Sequence, residues 1–385
     1  MAMFPVQGSN LEIWRQELIL KVRADVQVVI LLLPGRQGVG SDLYHDLKKM
    51  LTEEIPITSQ AILTSTVNYG RNLRLIVSKL VAQICAKIGG IPWAVSELPF
   101  FDKRTMVCGL DAYHDGEDGL LSVLGFVASY NRTCTKYWSS SQMTQRPGDE
   151  IATGLQGMVV QALNHFREAN GSLPDRVIIY RDGVDRGDPQ MQAMKEVEVE
   201  QLKKACAEFD HPIGCIFVVV TRKTNVELYA QGFYEDSFKN VVPGTVLDNG
   251  ITSTLPSSSG SPDVEALVHQ EFFLVSTSQR LGIAPPTKYS VLYDTINEPP
   301  SHIHLLSYKL CHMYFNIANP IQLPSPIMYA RKLGKFVAER SKEQQSRDFA
   351  LEANYAHEAQ DTQVKLSPIE VHSSFQSTCP NLFFL

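Results

Sequence analysis

The chain has 385 residues, of which 44% are hydrophobic and 20% charged, an ordinary composition for a folded globular protein. A formal net charge of −6 argues against a protein that is basic all over, although a local basic channel remains compatible with it. No apolar run approaches the ~20 residues of a membrane-spanning helix, and no signal segment opens the chain. Seven scattered cysteines without Cys-x-x-Cys spacing indicate reduced thiols in a cytoplasmic protein, with the nucleus as a second compartment.

The first hundred residues alternate strands with helices. Residues 26–33 and 58–64 are short, β-branched apolar runs and predict strands. Residues 41–51 and 71–87 have helical spacing, and the second run ends in a Gly-Gly pair that can cap a helix. This order predicts an α/β arrangement, in which the glycine-rich loop after the first strand matches no phosphate-binding motif.

The order of predicted elements changes at residue 105. Three strand candidates follow one another with short turns over 105–115, 120–130 and 135–143, which predicts an antiparallel meander. The next predicted elements are a helix over 149–169, a strand ending at Asp182, a helix over 189–208, and a strand that begins at residue 215. Because strand–helix–strand crossovers are right-handed, the strand ending at Asp182 can lie beside the first strand in one mixed sheet.

Two aspartates stand at the ends of apolar strands. Asp111 ends the first strand of the meander, and Asp182 ends "RVIIYRD" with Gly183 directly behind it. If the strands are neighbours, the two carboxylates converge, and two such charges need a cation between them. Magnesium or manganese suits oxygen ligands, and paired ions suit phosphodiester hydrolysis. Alternatively, "RVIIYRD" is an ordinary strand that is followed by an Asp-Gly turn.

A set of longer motifs points to one family. They are "GLDAYHD" (109–115), "LPDRVIIYRDGV" (173–184), "PPTKYSVLYD" (285–294), "LSYKLCHMYFNIANPIQLPSPIMYARKL" (306–333) and the terminal "FFL". Together they resemble the Piwi branch of the Argonaute proteins from about residue 20 to the end, apart from insertions at about 250–265 and 341–378. The resemblance implies a partial, Rossmann-like Mid domain over residues 1–95, followed by a ribonuclease-H-like Piwi domain with a mixed sheet over 96–385.

The same resemblance assigns a catalytic site. It implies that Asp111, Glu150 and Asp182 hold Mg²⁺ or Mn²⁺, although Glu150 could instead be an acidic residue at a helix N-terminus. Slicing members have histidine at the fourth catalytic position, where this chain has Arg331 in "YARKL". A guanidinium has no lone pair for a metal, although it can grip a phosphate oxygen. We therefore expect weak or absent cleavage with binding retained.

Two histidines are alternatives for the missing metal ligand. His114 and His312 both lie inside family motifs, at positions where the family has no ligand. A lone histidine is more often a structural residue than a metal ligand, so we expect neither of them to replace the fourth ligand.

A second site is implied in the Mid-like part, where it would hold the 5′ phosphate of a guide RNA. Its residues are Tyr44, Lys48, Gln60, Gln83, Lys87 and the C-terminal carboxylate of Leu385. Tyr44 and Lys48 are four residues apart and share a helix face, and Gln83 and Lys87 repeat that spacing. The alternative is two amphipathic helices whose lysines are solvated.

The sequence therefore predicts a small-RNA-guided, RNA-binding protein of RNA-mediated gene silencing. Its partners would be a guide RNA, a complementary target RNA and silencing-complex proteins. The first alternative is a metal-dependent, guide-directed endoribonuclease, and the second is a guide-independent ribonuclease-H-like nuclease. Since the chain starts partway into the Mid domain and has no PAZ module, we expect a fragment or a reduced family member with exposed apolar surface in its first part.

Overall fold

A computed structural model describes most of the chain as two compact units. The described residues are 3–6, 10–34, 39–69, 72–100, 102–114, 122–143, 151–183, 188–222, 224–232, 238–250, 252, 270–279, 281–339 and 382–385. One unit comprises Met1–Pro92 with Phe336–Leu385, and the other comprises Trp93–Lys335. The domain boundary expected near residue 95 stays a prediction, and the two expected insertions lie outside the described residues except for 250 and 252.

The first unit contains the strands and helices that its sequence predicts, together with two further helices that were not predicted. Its elements are α1 (Leu11–Lys21), β1 (Val29–Leu33), α2 (Val39–Glu53), β2 (Ser59–Leu63), α3 (Thr64–Tyr69) and α4 (Leu73–Lys87). β1 and β2 pair in parallel, with Ile30 opposite Gln60. Leu31 and Leu33 face a core shared with Leu47 of α2, because alternate residues of a strand point to opposite faces. The predicted strands and helices of this part are confirmed within a few residues.

Apolar side chains also lie on the surface of this unit, as the sequence analysis expects. Ile30 and Leu32, the residues of β1 that alternate with the core positions, are exposed. In α4, Leu75 and Val81 are each about three-fifths exposed, at 59% and 60%. Polypeptide contacts often form on apolar surface of this kind.

The second unit is built on an eight-stranded mixed sheet of order β10-β11-β12-β7-β6-β3-β4-β5. The strands are β3 (Thr105–His114), β4 (Ser122–Ser129), β5 (Tyr137–Met143), β6 (Arg176–Asp182), β7 (Gly214–Thr221), β10 (Thr245–Leu247), β11 (Gln270–Val275) and β12 (Thr287–Asp294), while β8 (Tyr229–Gln231) and β9 (Phe238–Asn240) form a separate hairpin. The predicted meander β3–β4–β5 is confirmed as antiparallel.

Helices cover both faces of this sheet. They are α5 (Leu155–Asn170), α6 (Asp188–Met194), a π-helical turn (Lys195–Val199), α7 (Glu200–Ala207), α8 (Pro300–Leu310) and α9 over residues 325–339. Val177 and Ile179 of β6 pack into the core beneath α5 and α7, while Ile178 and Tyr180 pack into the opposite core with α8. A strand buried on both faces reads as a continuous apolar run, which is why "VIIY" shows no alternation.

Two helix predictions need correction or refinement. α5 begins at Leu155 with Gly154 as its N-cap, so the predicted start near residue 149 is wrong. Residues 151–154, which directly precede this helix, are not helical. The predicted helix over 189–208 contains the π-helical turn, an irregularity that amino-acid periodicity does not reveal. In the described segments, every helix is too short or too polar to cross a lipid bilayer.

Three glycines let α9 approach the sheet closely. A Cβ atom on Gly109 of β3 would lie 2.1 Å from the backbone of Pro326, and one on Gly125 of β4 would lie 2.1 Å from the carbonyl oxygen of Ala330. On the helix side, a Cβ atom on Gly334 would lie 2.9 Å from the Cβ atom of Tyr113. The helix therefore touches the strands backbone to backbone.

Substitution of Gly125 by alanine should disturb this contact. The added methyl group meets a carbonyl oxygen that cannot rotate away, so we expect a loss of about 1–3 kcal/mol in the free energy of unfolding. Gly157→Ala is the matched control, since a Cβ atom at this position of α5 meets nothing within 4 Å. Alanine there should be neutral or stabilise the helix by up to about 1 kcal/mol. Equal urea midpoints for the two variants would contradict the close packing of α9.

Candidate functional site

Two carboxylates meet at one edge of the mixed sheet. β3 and β6 are parallel neighbours, with Leu110 opposite Arg181, so Asp111 and Asp182 are the next residues along the two strands. Gly183 donates its N–H to the carbonyl oxygen of Val220 at 2.8 Å. A Cβ atom on Gly183 would lie 2.6 Å from the side chain of Val219, so a larger residue directly after Asp182 would have to displace that side chain. The predicted adjacency of the two aspartate-bearing strands is confirmed.

Arg331 of α9 contacts both carboxylates. Its Nη2 atom lies 3.2 Å from Oδ1 of Asp111 and also donates to Oδ2 of Asp182. The exposed fractions of the side chains are 3% for Asp111, 15% for Asp182 and 24% for Arg331. Burial and then the charge of Asp111 raise the pKa of Asp182, an effect that Arg331 opposes. Burial lowers the pKa of Arg331, but both carboxylates outweigh it and leave that pKa raised.

The described residues do not fit a divalent ion at this edge. They contain no group of three or more His, Cys, Asp and Glu side chains that could hold a metal. Glu150, the expected third carboxylate, lies outside the described residues. His114 bonds Ser122 through Nδ1 at 2.7 Å, and Nδ1 of His312 lies 3.0 Å from the carbonyl oxygen of Tyr308. The guanidinium of Arg331 is the cation that the structure places between the two aspartates.

The residue directly before Asp182, Arg181, forms a buried ion pair with Glu198 that the sequence patterns did not indicate. Arg181 is 1% exposed and Glu198 of the π-helical turn is fully buried, with Nε of Arg181 3.3 Å from Oε2 of Glu198. Arg181 also donates to the carbonyl oxygen of Asp182, and Glu198 accepts the N–H of Ala152 at 2.8 Å. The pair thereby ties the end of β6 to the segment before α5. Its one sequence signal is a charged residue closing the apolar run "VIIY".

In the first unit, two lysine side chains converge on one backbone carbonyl. Nζ of Lys48 lies 3.0 Å from the carbonyl oxygen of Ser59 and 2.9 Å from its hydroxyl group. Nζ of Lys87 lies 3.1 Å from the same carbonyl oxygen and 2.9 Å from Oε1 of Gln60. Lys87 is only 2% exposed, and burial lowers the pKa of Lys48 to about 8. Sequence patterns did not indicate Ser59, which accepts hydrogen bonds from two of the expected pocket residues, Lys48 and Lys87.

The remaining expected pocket residues belong to the same unit. Tyr44 is half-buried on α2, and burial followed by the charge of Glu339 raises its pKa. Gln83 is half-buried on α4, one turn before Lys87. Leu385 directly follows the buried residues Leu382, Phe383 and Phe384, so the apolar C-terminus is packed against the protein. The assignment of Tyr44, Gln83 and Leu385 to a phosphate pocket stays a prediction.

Comparisons with known proteins agree with this architecture. The Piwi domain family matches residues 28–342. Protein argonaute-3 of Drosophila melanogaster is 34% identical over 338 residues, which cover 88% of this chain and 36% of that protein. The crystal structure of Drosophila Piwi superposes with a TM-score of 0.69 at 25% identity, covering 86% of this chain and 42% of that one.

A further structure shows the likeness of fold over nearly the whole chain. Kluyveromyces polysporus Argonaute with a guide RNA superposes with a TM-score of 0.73 at 18% identity, covering 97% of this chain and 43% of that one. The chain spans about a third of the length of the curated relatives it matches, at 36%, 32% and 35% for the first three.

Proposed function

The chain belongs to the Argonaute/Piwi family, and from that membership we propose that it binds a small guide RNA through the RNA's 5′ phosphate. The bound guide would pair with complementary RNA and direct its silencing. The observation that carries this proposal is the convergence of Lys48 and Lys87 on the carbonyl oxygen of Ser59. The matching Kluyveromyces polysporus structure contains a guide RNA, which supports the same ligand here.

The chemistry of the lysine pair suits a phosphate. Both ammonium groups donate to one carbonyl oxygen, so two positive charges lie close together here. A dianionic phosphate would supply the negative charge that this pair attracts, with the amide of Gln60 as a neighbouring polar group. Backbone and side-chain oxygens hold the two ammonium groups in place before a ligand arrives.

This pocket predicts a pH dependence of guide binding. The pKa of Lys48 is about 8 in the free protein, and a bound phosphate would raise it. Affinity should therefore fall about twofold between pH 7 and 8 and about tenfold by pH 9, because binding then requires uptake of a proton. The measurement compares guides carrying a 5′ phosphate and a 5′ hydroxyl group. Lys48→Arg should flatten the profile, and an equal fall for both guides would contradict the role of Lys48.

We further propose that cleavage of the target is weak or absent. Asp111 and Asp182 are neighbours, as a nuclease requires, but their shared cation is a guanidinium that cannot ligate a metal. The adjacency of the carboxylates favours metal-dependent slicing as the second candidate function. Slicing would require Arg331 to leave both carboxylates when guide and target are bound.

The proposal is tested by the RNA that the purified chain retains. We expect short RNA with a 5′ phosphate, and a tenfold or greater preference for a 5′-phosphorylated guide over the same guide with a 5′ hydroxyl group, given about 1.5–3 kcal/mol for each charged hydrogen bond. Retention of RNA of random length, together with equal affinity for the two synthetic guides, would rule out the 5′-phosphate pocket.

A further inference from the structure

We propose that Arg331 is a resident cation that closes the acidic pair to divalent ions. Its guanidinium would hold Asp111 and Asp182 together by occupying the space between them. The proposal concerns the same candidate catalytic edge as the proposed function and rests on its assignment of the two aspartates. It adds that this edge is stable without Mg²⁺ or Mn²⁺ and resists them.

A single nitrogen atom of Arg331 contacts both carboxylates. Nη2 of Arg331 donates to Oδ1 of Asp111 at 3.2 Å and to Oδ2 of Asp182. One atom that bonds both carboxylates must lie between them. A magnesium ion binds oxygen at about 2.0–2.1 Å and demands near-octahedral surroundings, so it would need the space that the guanidinium fills.

The backbone around Arg331 keeps the guanidinium there. Ala330, the preceding residue, touches the position where Gly125 would carry a Cβ atom, and Gly125 is the cross-strand partner of Asp111. The Cα atom of Arg331 is therefore fixed near the carboxylate that its side chain contacts. The side chain is 24% exposed, so most of it is packed. Displacing the guanidinium would leave Asp111, which is 3% exposed, without its counter-charge.

Electrostatics give the second obstacle to a metal. A divalent ion that approached the two carboxylates would also meet the positive charge of Arg331 within a few ångströms. At such distances the repulsion between the metal ion and Arg331 is of the same order as the attraction between the metal ion and one carboxylate. Removal of Arg331 should therefore create a divalent-ion site, because it frees both the space and the negative charge.

The test measures Mn²⁺ binding to the full chain without guide, by electron paramagnetic resonance and by thermal unfolding. R331A should bind Mn²⁺ at least about tenfold more tightly than the wild type. Its unfolding temperature should be low in EDTA and rise with added Mn²⁺, as linkage requires for an ion that binds only the folded state. The wild-type unfolding temperature should be the same in EDTA and in Mn²⁺.

Three further variants separate the outcomes. Arg104→Ala removes an exposed arginine that pairs with Asp175 at 2.8 Å, and it should leave Mn²⁺ binding unchanged. Adding Asp182→Asn to R331A should abolish the new site. Arg331→Gln keeps much of the side-chain volume, and it replaces R331A in the test if R331A does not fold in EDTA. If either variant folds only in the presence of Mn²⁺, that result supports the proposal.

The proposal is overturned if the wild type binds Mn²⁺ as tightly as R331A, or if neither R331A nor Arg331→Gln gains affinity for the ion. Binding of a 5′-phosphorylated guide is measured in parallel. Because that binding depends on Lys48 and Lys87, its loss would contradict the proposed function without affecting the metal result.

Discussion

The double variant K48M/K87M should bind a 5′-phosphorylated guide RNA about 10²- to 10⁴-fold more weakly than the wild type. Each ammonium group that meets a phosphate is worth about 1.5–3 kcal/mol, and the two groups share one carbonyl oxygen in the free protein. Methionine keeps most of the side-chain stem, so the packing of the nearly buried Lys87 is disturbed little. The measurement is equilibrium binding of a labelled guide at fixed salt concentration.

Two controls make this result specific. Lys49→Met removes the neighbouring charge on α2, which makes none of the contacts to Ser59, so its effect should be small. A guide with a 5′ hydroxyl group should bind the wild type and K48M/K87M with similar affinity. If Lys49→Met weakened binding as much as the double variant, the lysines would act as general surface charge rather than as a phosphate pocket.

Glu198→Ala should lower the free energy of unfolding by about 3–5 kcal/mol. The change removes the buried acidic partner of Arg181 and the acceptor for the N–H of Ala152. Breaking a buried ion pair by removing one of its members is among the most costly single substitutions. The measurement is urea unfolding of the full chain, followed by the circular dichroism of the sheet.

Glu200→Ala is the matched control for Glu198→Ala. Glu200 lies two residues further along and pairs with Lys203 at 2.7 Å, but its side chain is 48% exposed. Exposed pairs of this kind contribute up to about 1 kcal/mol. Replacing both Arg181 and Glu198 by apolar residues of similar size should recover most of the lost stability. A loss for Glu198→Ala no greater than that for Glu200→Ala would show that the pair is not critical.

The strands, and the meeting of Asp111 and Asp182 at one edge of the sheet, could be predicted from the sequence because local patterns indicate them. Asp182 ends β6, and right-handed crossovers allow β6 to lie beside β3. The expectation that Asp111 ends its strand is wrong, because β3 continues to His114. The spacing of Lys48 on α2 and of Lys87 on α4 likewise places each residue on a defined helix face. The structure brings both side chains to Ser59, a convergence that helix periodicity alone does not specify.

Local sequence patterns could not predict the contacts between distant parts of the chain. Arg331 is 220 residues from Asp111 and 149 from Asp182, and its bond to both carboxylates depends on how closely α9 packs. That packing rests on Gly109 and Gly125, which look like weak points of their strands when read as sequence. Glu198 was missed because an acidic residue in a predicted helix is usually solvated, whereas the π-helical turn buries it.

We infer that Arg331 takes the place of a metal ion between Asp111 and Asp182, while the pocket for the guide's 5′ phosphate is retained. This inference is tested most directly by loading the wild-type chain with a 5′-phosphorylated guide and adding a labelled complementary RNA in Mg²⁺ or Mn²⁺. We expect the target to be bound and recovered at full length. Cleavage at a single target phosphate that requires the metal and disappears in Asp182→Ala would contradict the account.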